Sequence, residues 1–286
     1  MTQDRIDFSV TVFAYNEERG IAETLGSAIA NVPQGARVVI RVLANGCTDR
    51  TAEIVRRLSA DNPAVHLHEL ALGDKCNAWN TYVYALLDDC PVHFFMDGDV
   101  TVSADAFAYM VRALSESPTV TAVAGMPQAG RGRDTYSRYI RERGWVFGNL
   151  YGVRHSHLQN LIRTGIRLPL GLRGNDHFIT RILQSDLHAP WLERRERITF
   201  DGRAGYVFPS LNPLKPADVG LYYRRRVTYR LRELQLAHIA DAPLSSLPAD
   251  MSAINQRILH SLTASPSRHH SLLDRAVIRR LKRRSS

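Results

Sequence analysis

The chain has 286 residues, is 44% hydrophobic and carries a formal net charge of +9. That is enough apolar material for one large domain, or one domain with an appendage, and the charge predicts an anionic partner: nucleic acid, anionic lipid or a phosphorylated substrate. No apolar run reaches the roughly 18 residues of a membrane span, the start MTQDRIDFSV lacks the profile of a secretory signal, and Cys47, Cys76 and Cys90 lack the spacings of a zinc or redox site, so a cytoplasmic protein with free thiols is expected.

In chain order, IDFSVTVFAY (Ile6 to Tyr15) predicts a buried strand, and EERGIAETLGSAIANV a helix with Ile21, Leu25, Ala28 and Ile29 at helical spacing. ARVVIRVLA predicts a second strand, and TDRTAEIVRRLSA a helix that Asp49 would cap. There follow a short strand (AVHLHEL), a helix (DKCNAWNTYVYALLDD), a strand (PVHFFMD), a helix with Ser103 as N-cap (SADAFAYMVRALSES) and a strand (TVTAVAGMP). Such alternation predicts an α/β fold: a mostly parallel sheet with helices on both faces and ligands beyond the carboxyl ends of its strands.

Beyond Met126 the alternation stops. QAGRGRDTYSRYIRERGW is Gly- and Arg-rich and then helical, GIRLPLGLRGNDHFITRIL mixes loop and helix, and APWLERRERITFDGRAGYVFPS predicts edge strands. From Leu214 the chain is basic and helical, and SPSRHH (Ser265 to His270) reads as a linker to a last short helix. These breaks divide the chain into a main domain, 1–213, with halves 1–126 and 127–213, a basic helical extension, 214–264, and a linker with a basic amphipathic helix, 265–286.

The stretch HFFMDGDVTV (His93 to Val102) runs an apolar strand into Asp97 and Asp99, separated by one glycine. Residues two apart on a strand project to one side, so both carboxylates would face one crevice. Two hard oxygen ligands with room for water and phosphate suit Mg²⁺ or Mn²⁺; a turn with solvated carboxylates is the other reading.

Four blocks give this pair a context. VTVFAYNEERGIAETLGSAI resembles the opening strand, loop and helix of family 2 glycosyltransferases of the GT-A fold. VLANGCTDRTAEIV is similar to their second-strand turn, GDKCNAWN to their Lys and Ala-x-Asn element, with Lys75 and Asn80 in place, and MDGDVTVSADAF to their metal-binding D-x-D. The resemblance implies a divalent-metal-dependent, inverting sugar transfer from a nucleotide-diphosphate donor to an acceptor hydroxyl on a saccharide or lipid-linked molecule. Asp97 and Asp99 would hold Mn²⁺ or Mg²⁺, and Ala14, Tyr15, Glu17, Asn45, Lys75 and Asp97 would line the donor site. GNLYGVRHSHL is similar to the family's acceptor-side segment and adds Arg154, while YYRRRVTYR stands where larger relatives steady the diphosphate and adds the run Arg224 to Arg226, with Arg224 and Arg226 foremost and a solvated basic helix as the alternative. RGNDHFITRIL looks like the helix that presents the catalytic base, here Asp176, with His177 beside it as a further metal ligand. A capping role for Asp176 or Asn175 stands as the alternative.

One departure bears on the donor. Ala44 and Asn45 replace the family's paired aspartates, so its usual uridine preference does not carry over. Asp49 matches the turn's last aspartate, with helix capping as its job. Trp79 and Phe94 read as core, and His155 and His157 as surface or supporting residues.

Other readings remain at this stage. A nucleotidyltransferase would need a Gly-rich phosphate loop after the first strand, which FAYNEERG lacks. A basic nucleic-acid or polyanion module would explain the charge but leaves the aspartates idle. The final segment SLLDRAVIRRLKRR puts Leu273, Val277 and Leu281 on one face among arginines, as an interfacial helix on an anionic membrane does.

Overall fold

Strand β1 (Phe8–Ala14) is buried at every position, the polar Ser9 and Thr11 included, as befits a parallel strand covered on both faces. The computed structural model describes residues 5–130, 132–187, 189–208, 216–264 and 271–285. The linker expected at Ser265 to His270 and the boundary expected at 213/214 lie outside the described residues.

After β1 come α1 (Ile21–Ala30), β2 (Val38–Asn45), α2 (Thr51–Asp61), β3 (Val65–Leu70), α3 (Lys75–Ala85), β4 (Val92–Asp97), β5 (Thr101–Val102), α4 (Ala106–Ser115) and β6 (Ala122–Pro127). The second half adds α5 (Arg133–Arg143), β7 (Leu150–Arg154), α6 (His155–Thr164), α7 (Asp176–Gln184), the short pair β8 (Ser185–Asp186) and β9 (Ala189–Glu193), and β10 (Ile198–Val207). Three helices close the chain: α8 (Pro216–Ile239), α9 (Ser252–Thr263) and α10 (Leu272–Ser285).

The main sheet has eight strands in the order β3-β2-β1-β4-β7-β6-β10-β5. β1 pairs in parallel with both β2 and β4, and β2 with β3. β7 runs antiparallel to β4 and β6. The carboxyl ends of β1, β2 and β4 therefore open on one crevice, where the strand order reverses. β10, expected at an edge, lies inside the sheet between β6 and β5. Ser103 does not cap α4: its hydroxyl accepts from Gly205 N and donates to Arg203 O, while Asp105, in the left-handed region at φ 56°, precedes the helix.

Adjacent residues on a strand face opposite layers. Phe94 joins Phe8, Val10 and Phe107 on one side of the sheet, and Phe95 joins Trp79, Tyr82, Tyr151 and Phe178 on the other. The layer around Phe95 continues without a break into Val227 and Leu231 of α8, Ile254 and Ile258 of α9, and Val277 and Leu281 of α10. The basic helices are thus built into the main core. That corrects one expectation: Val277 and Leu281 are 0% and 4% exposed, so the apolar stripe of α10 is consumed by packing and does not face lipid.

Candidate active site

The turns that carry the site are stitched by short-range bonds. After β1 the chain turns at Asn16, in the left-handed region at φ 56°, which asparagine tolerates well. The Asn16 Oδ1 accepts from Thr48 N (2.8 Å), Glu17 N donates to Thr51 Oγ1 (2.8 Å), and Glu18 N donates to Asp49 Oδ2 (3.0 Å). Asp49 also accepts from Thr51 N and Oγ1, so it organises the start of α2, the job expected of it. The turns after β1 and β2 form one unit.

The end of β4 is locked onto β1. Gly98 N donates to Phe13 O (2.9 Å) and Gly98 O accepts from Thr24 Oγ1 (2.9 Å). A Cβ at Gly98 would lie 3.0–3.1 Å from Ala14 and from Phe13 O. Glycine between Asp97 and Asp99 lets this turn lie against β1 without that crowding. Ala14 is the other wall of this contact, fully buried behind the turn, and its methyl does not reach the crevice.

Asn45 and Asp74 then aim Lys75. Asp74 N donates to Asn45 Oδ1 (3.0 Å), Asp74 Oδ1 caps α3 through Asn77 N (3.0 Å), and Asp74 Oδ2 accepts from Gly171 N (2.9 Å). Lys75, first residue of the helix, makes an ion pair with Asp97 Oδ1, both side chains about 30% exposed (31% and 28%). Gly148, just before β7, closes the group. Its N–H donates to Asp176 Oδ1 (3.2 Å), and a Cβ there would sit 2.5 Å from Lys75 Nζ, 3.2 Å from Asp176 Oδ1 and 3.5 Å from Asp97 Oδ2. Asp97, Lys75 and Asp176 therefore meet in one small volume, with a backbone amide aimed at the last. Asn175 takes the N-cap position of α7 without a side-chain cap bond, and Asp176 points at Lys75 instead of capping.

Electrostatics mark the same place. Burial raises the Asp176 carboxyl, Asp97 raises it further, and Lys75 and Arg232 oppose this. Burial would lower the Lys75 ammonium, but Asp97 and Asp176 hold it above its ordinary value. Burial, then Asp97, raises Asp99. Glu17 is pushed up to about 7 by burial, then by Asp99, Asp97 and Asp49. The crevice thus concentrates more carboxylates than its cations neutralise.

The remaining expected residues divide. Tyr15, 56% exposed, lies beside Gly73 at the open lip of the crevice. Of the arginines on α8, it is Arg225 whose charge acts on Asp99 and Glu17, while Arg224 lines a groove toward α10 and Arg226 is exposed. Arg154 sits at the opposite end of the sheet, paired with Val92 at the start of β4, and its guanidinium donates to the carbonyls of Leu114, Val120 and Ser117. Its charge ties a loop, far from the crevice. His177 also turns away: its ring lies between Trp145 and Phe178 and meets Ala240 O at 3.4 Å. His155 stacks on His93, Nδ1 to Nε2 2.8 Å, and His157 binds Ile182 O (2.9 Å). Trp79 and Phe94 are buried in the two core layers, as expected.

The segment before Asp176 is held from a distance. Asn80 bonds both the N–H and C=O of Leu168 (3.0 and 2.9 Å). Gln235 of α8 accepts from Arg173 N (2.8 Å) and donates to Gly171 O (3.2 Å) and Asn255 Oδ1 (2.9 Å). Gln235 and Arg232 were not foreseen, and Arg225 was foreseen only as one of the run Arg224 to Arg226. A signal existed for Gln235, which takes a place in the stripe Val227, Leu231, Gln235, Ile239 that is otherwise apolar.

A sheet of this order, with acidic strand ends facing a carboxylate from the second half, is that of the GT-A fold. The sequence profile of glycosyl transferase family 2 matches residues 9–172, more than half of the chain. The chain belongs to that family and is a glycosyltransferase. Similar solved structures include the mannosyltransferase PcManGT from Pyrobaculum calidifontis in complex with GDP-Man and Mn²⁺, with TM-score 0.61 and 21% identity over 99% of this chain and 81% of that one. Another is S. aureus TarS 1-349 in complex with UDP-GlcNAc, with TM-score 0.56 and 15% identity over 96% and 79%. Among curated protein sequences none matches significantly.

Proposed function

We propose that this enzyme transfers a sugar from a nucleotide-diphosphate donor to an acceptor hydroxyl with inversion, using Asp176 as general base. The observation that carries this reading is the meeting of Asp176 with Lys75 and Asp97 beneath Gly148. A carboxylate from the second half of the chain stands next to the strand end that would hold the donor, separated by one lysine. The acceptor oxygen attacks the anomeric carbon while its proton passes to Asp176, and the bond from that carbon to the diphosphate oxygen breaks. Burial makes Asp176 a stronger base than a free aspartate, and Gly148 N–H fixes its orientation.

The acidic crevice fits a divalent cation. Asp97 and Asp99 would hold Mn²⁺ or Mg²⁺, whose charge offsets the departing diphosphate. Among the described residues no group of three His, Cys, Asp or Glu is set to hold a metal, so the rest of the shell would come from donor oxygens and water. Binding of GDP-Man with Mn²⁺ by PcManGT supports a metal-assisted donor site on this fold. PcManGT and TarS take different nucleobases, and here Asn45 spends its carbonyl on Asp74 N. Base choice then falls to Tyr15 and the lip around Gly73. The acceptor side opens toward the basic helices, which suits an acceptor displayed at an anionic membrane surface.

The test is a transfer assay across nucleotide sugars with and without Mn²⁺, following the product's anomeric configuration by NMR. Asp176→Asn should slow transfer by about 10²–10⁴-fold and keep donor-induced thermal stabilisation. Transfer at the wild-type rate by that variant would overturn the assignment.

A further inference from the structure

The first two turns of α8 with described side chains, Val219 to Arg226, are exposed all the way round. That is unusual for a helix whose next turns, through Val227 and Leu231, enter the core. Val219, Leu221, Tyr222 and Tyr223 are 53%, 46%, 45% and 46% exposed, and Arg224, Arg225 and Arg226 follow directly. Four large apolar side chains thus lie exposed on these turns beside three arginines.

The α10 helix runs back along α8. Arg230 Nε donates to Asp274 Oδ1 (2.7 Å) and Arg280 to Thr228 Oγ1 (2.9 Å), which brings the end of α10 to the start of α8. Between them lies a groove of about 560 Å³ with Val227 and Ala276 in its floor and Tyr223, Arg224, Arg279 and Arg283 along it. None of Arg224, Arg226, Arg279 and Arg283 has an acidic partner among the described residues.

We propose that the exposed turns Val219 to Arg226 of α8 and the α8–α10 groove form a docking surface for an anionic phospholipid bilayer, the exposed apolar side chains entering the interface and the arginines binding lipid phosphates. Charge complementarity selects this occupant: arginines without acidic partners stand beside exposed Leu and Tyr, the pairing that phosphates and acyl chains at an anionic leaflet surface accept. Tyrosine, with an apolar ring and a polar tip, suits that depth. A nucleic acid would use the arginines but gain nothing from Val219 and Leu221. Arg225 on the same turns acts on Asp99 and Glu17, so docking would bring the crevice to the membrane surface. The proposal does not depend on the identity of donor or acceptor.

The experiment is flotation of the full chain with vesicles of phosphatidylcholine alone or mixed with phosphatidylglycerol. Wild type should float with the anionic vesicles only. Each arginine near such a surface contributes roughly fivefold in partitioning, so Arg279→Gln with Arg283→Gln should weaken it by about 25-fold. Leu221→Ser with Tyr222→Ser should weaken it by about tenfold or more. Both variants alter exposed side chains and should keep the wild-type melting temperature and donor-induced stabilisation. Equal flotation on neutral vesicles, or undiminished flotation of the arginine variant, would overturn the proposal. So would tight binding to single-stranded RNA that needs the arginines while the variant at Leu221 and Tyr222 floats normally, since that identifies a polyanion site.

Discussion

The two sides of the crevice are built by different means. On the donor side, the turns after β1, β2 and β4 hold each other through bonds among their own residues, from Asn16 to Thr48, Glu17 to Thr51 and Gly98 to Phe13. On the acceptor side, the segment leading to Asp176 has Asn80, Asp74 and Gln235 reaching in from α3 and α8 to fix its backbone. The donor platform is therefore self-sufficient, whereas the base is positioned by helices distant in sequence. Damage to the second set of ties should misplace the base and leave the donor bound.

The sharpest test of that division is the base itself. Asp176→Asn removes the proton acceptor, and a general base is worth about 10²–10⁴-fold. Turnover should fall by that factor, measured against an unchanged donor dissociation constant. A parallel loss of donor affinity would mean that Asp176 belongs to the donor platform. Next in size is Gln235→Ala, which leaves Arg173 N and Gly171 O without their partner. Breaking such buried bonds destabilises by about 1–3 kcal/mol, read as a lower melting temperature. A displacement of the base by an ångström can reduce turnover by about 100-fold. Donor affinity should hold, and its collapse would show that the two sides are one unit. Gly98→Ala is the converse: a methyl driven against Ala14 and Phe13 O should destabilise by about 1–3 kcal/mol and weaken donor binding.

The same division explains what the sequence made legible. The strand and helix pattern up to Met126, the carboxylate pair and the role of Asp49 follow from local rules: burial of parallel strands, turn chemistry and short spacings. Asp176 and Lys75 came from motif resemblance, and only the fold shows that they meet. Three consecutive arginines differ in direction by about 100° each on a helix, so nothing local distinguishes Arg225 from Arg224 and Arg226. Arg154 and His177 were misplaced for a related reason. Arg154 ends a strand that runs opposite to β4, and His177 follows Asp176 on a helix, where neighbours point apart. Gln235 answers to partners more than 60 residues away in sequence, beyond the reach of spacing.

The smallest expected effect concerns protons on the donor side. Glu17 is held near 7 in the folded chain against an ordinary 4.5, and Asp99 is raised too. A carboxyl raised on folding binds its proton more tightly in the folded state, so its contribution is fully present below the unfolded value and is lost as pH rises through the folded one. For Glu17 the loss falls between pH 4.5 and about 7. His93, held near 3, and His157, near 4, are buried neutral and act in the opposite sense, losing stability as pH falls below 6.5. In Glu17→Gln the first contribution is absent and the second untouched. Without metal, its melting temperature should exceed wild type at pH 8 and converge with it near pH 5. A difference that stays constant with pH would mean that Glu17 is not part of the acidic cluster, and that the donor platform is less crowded than its geometry implies.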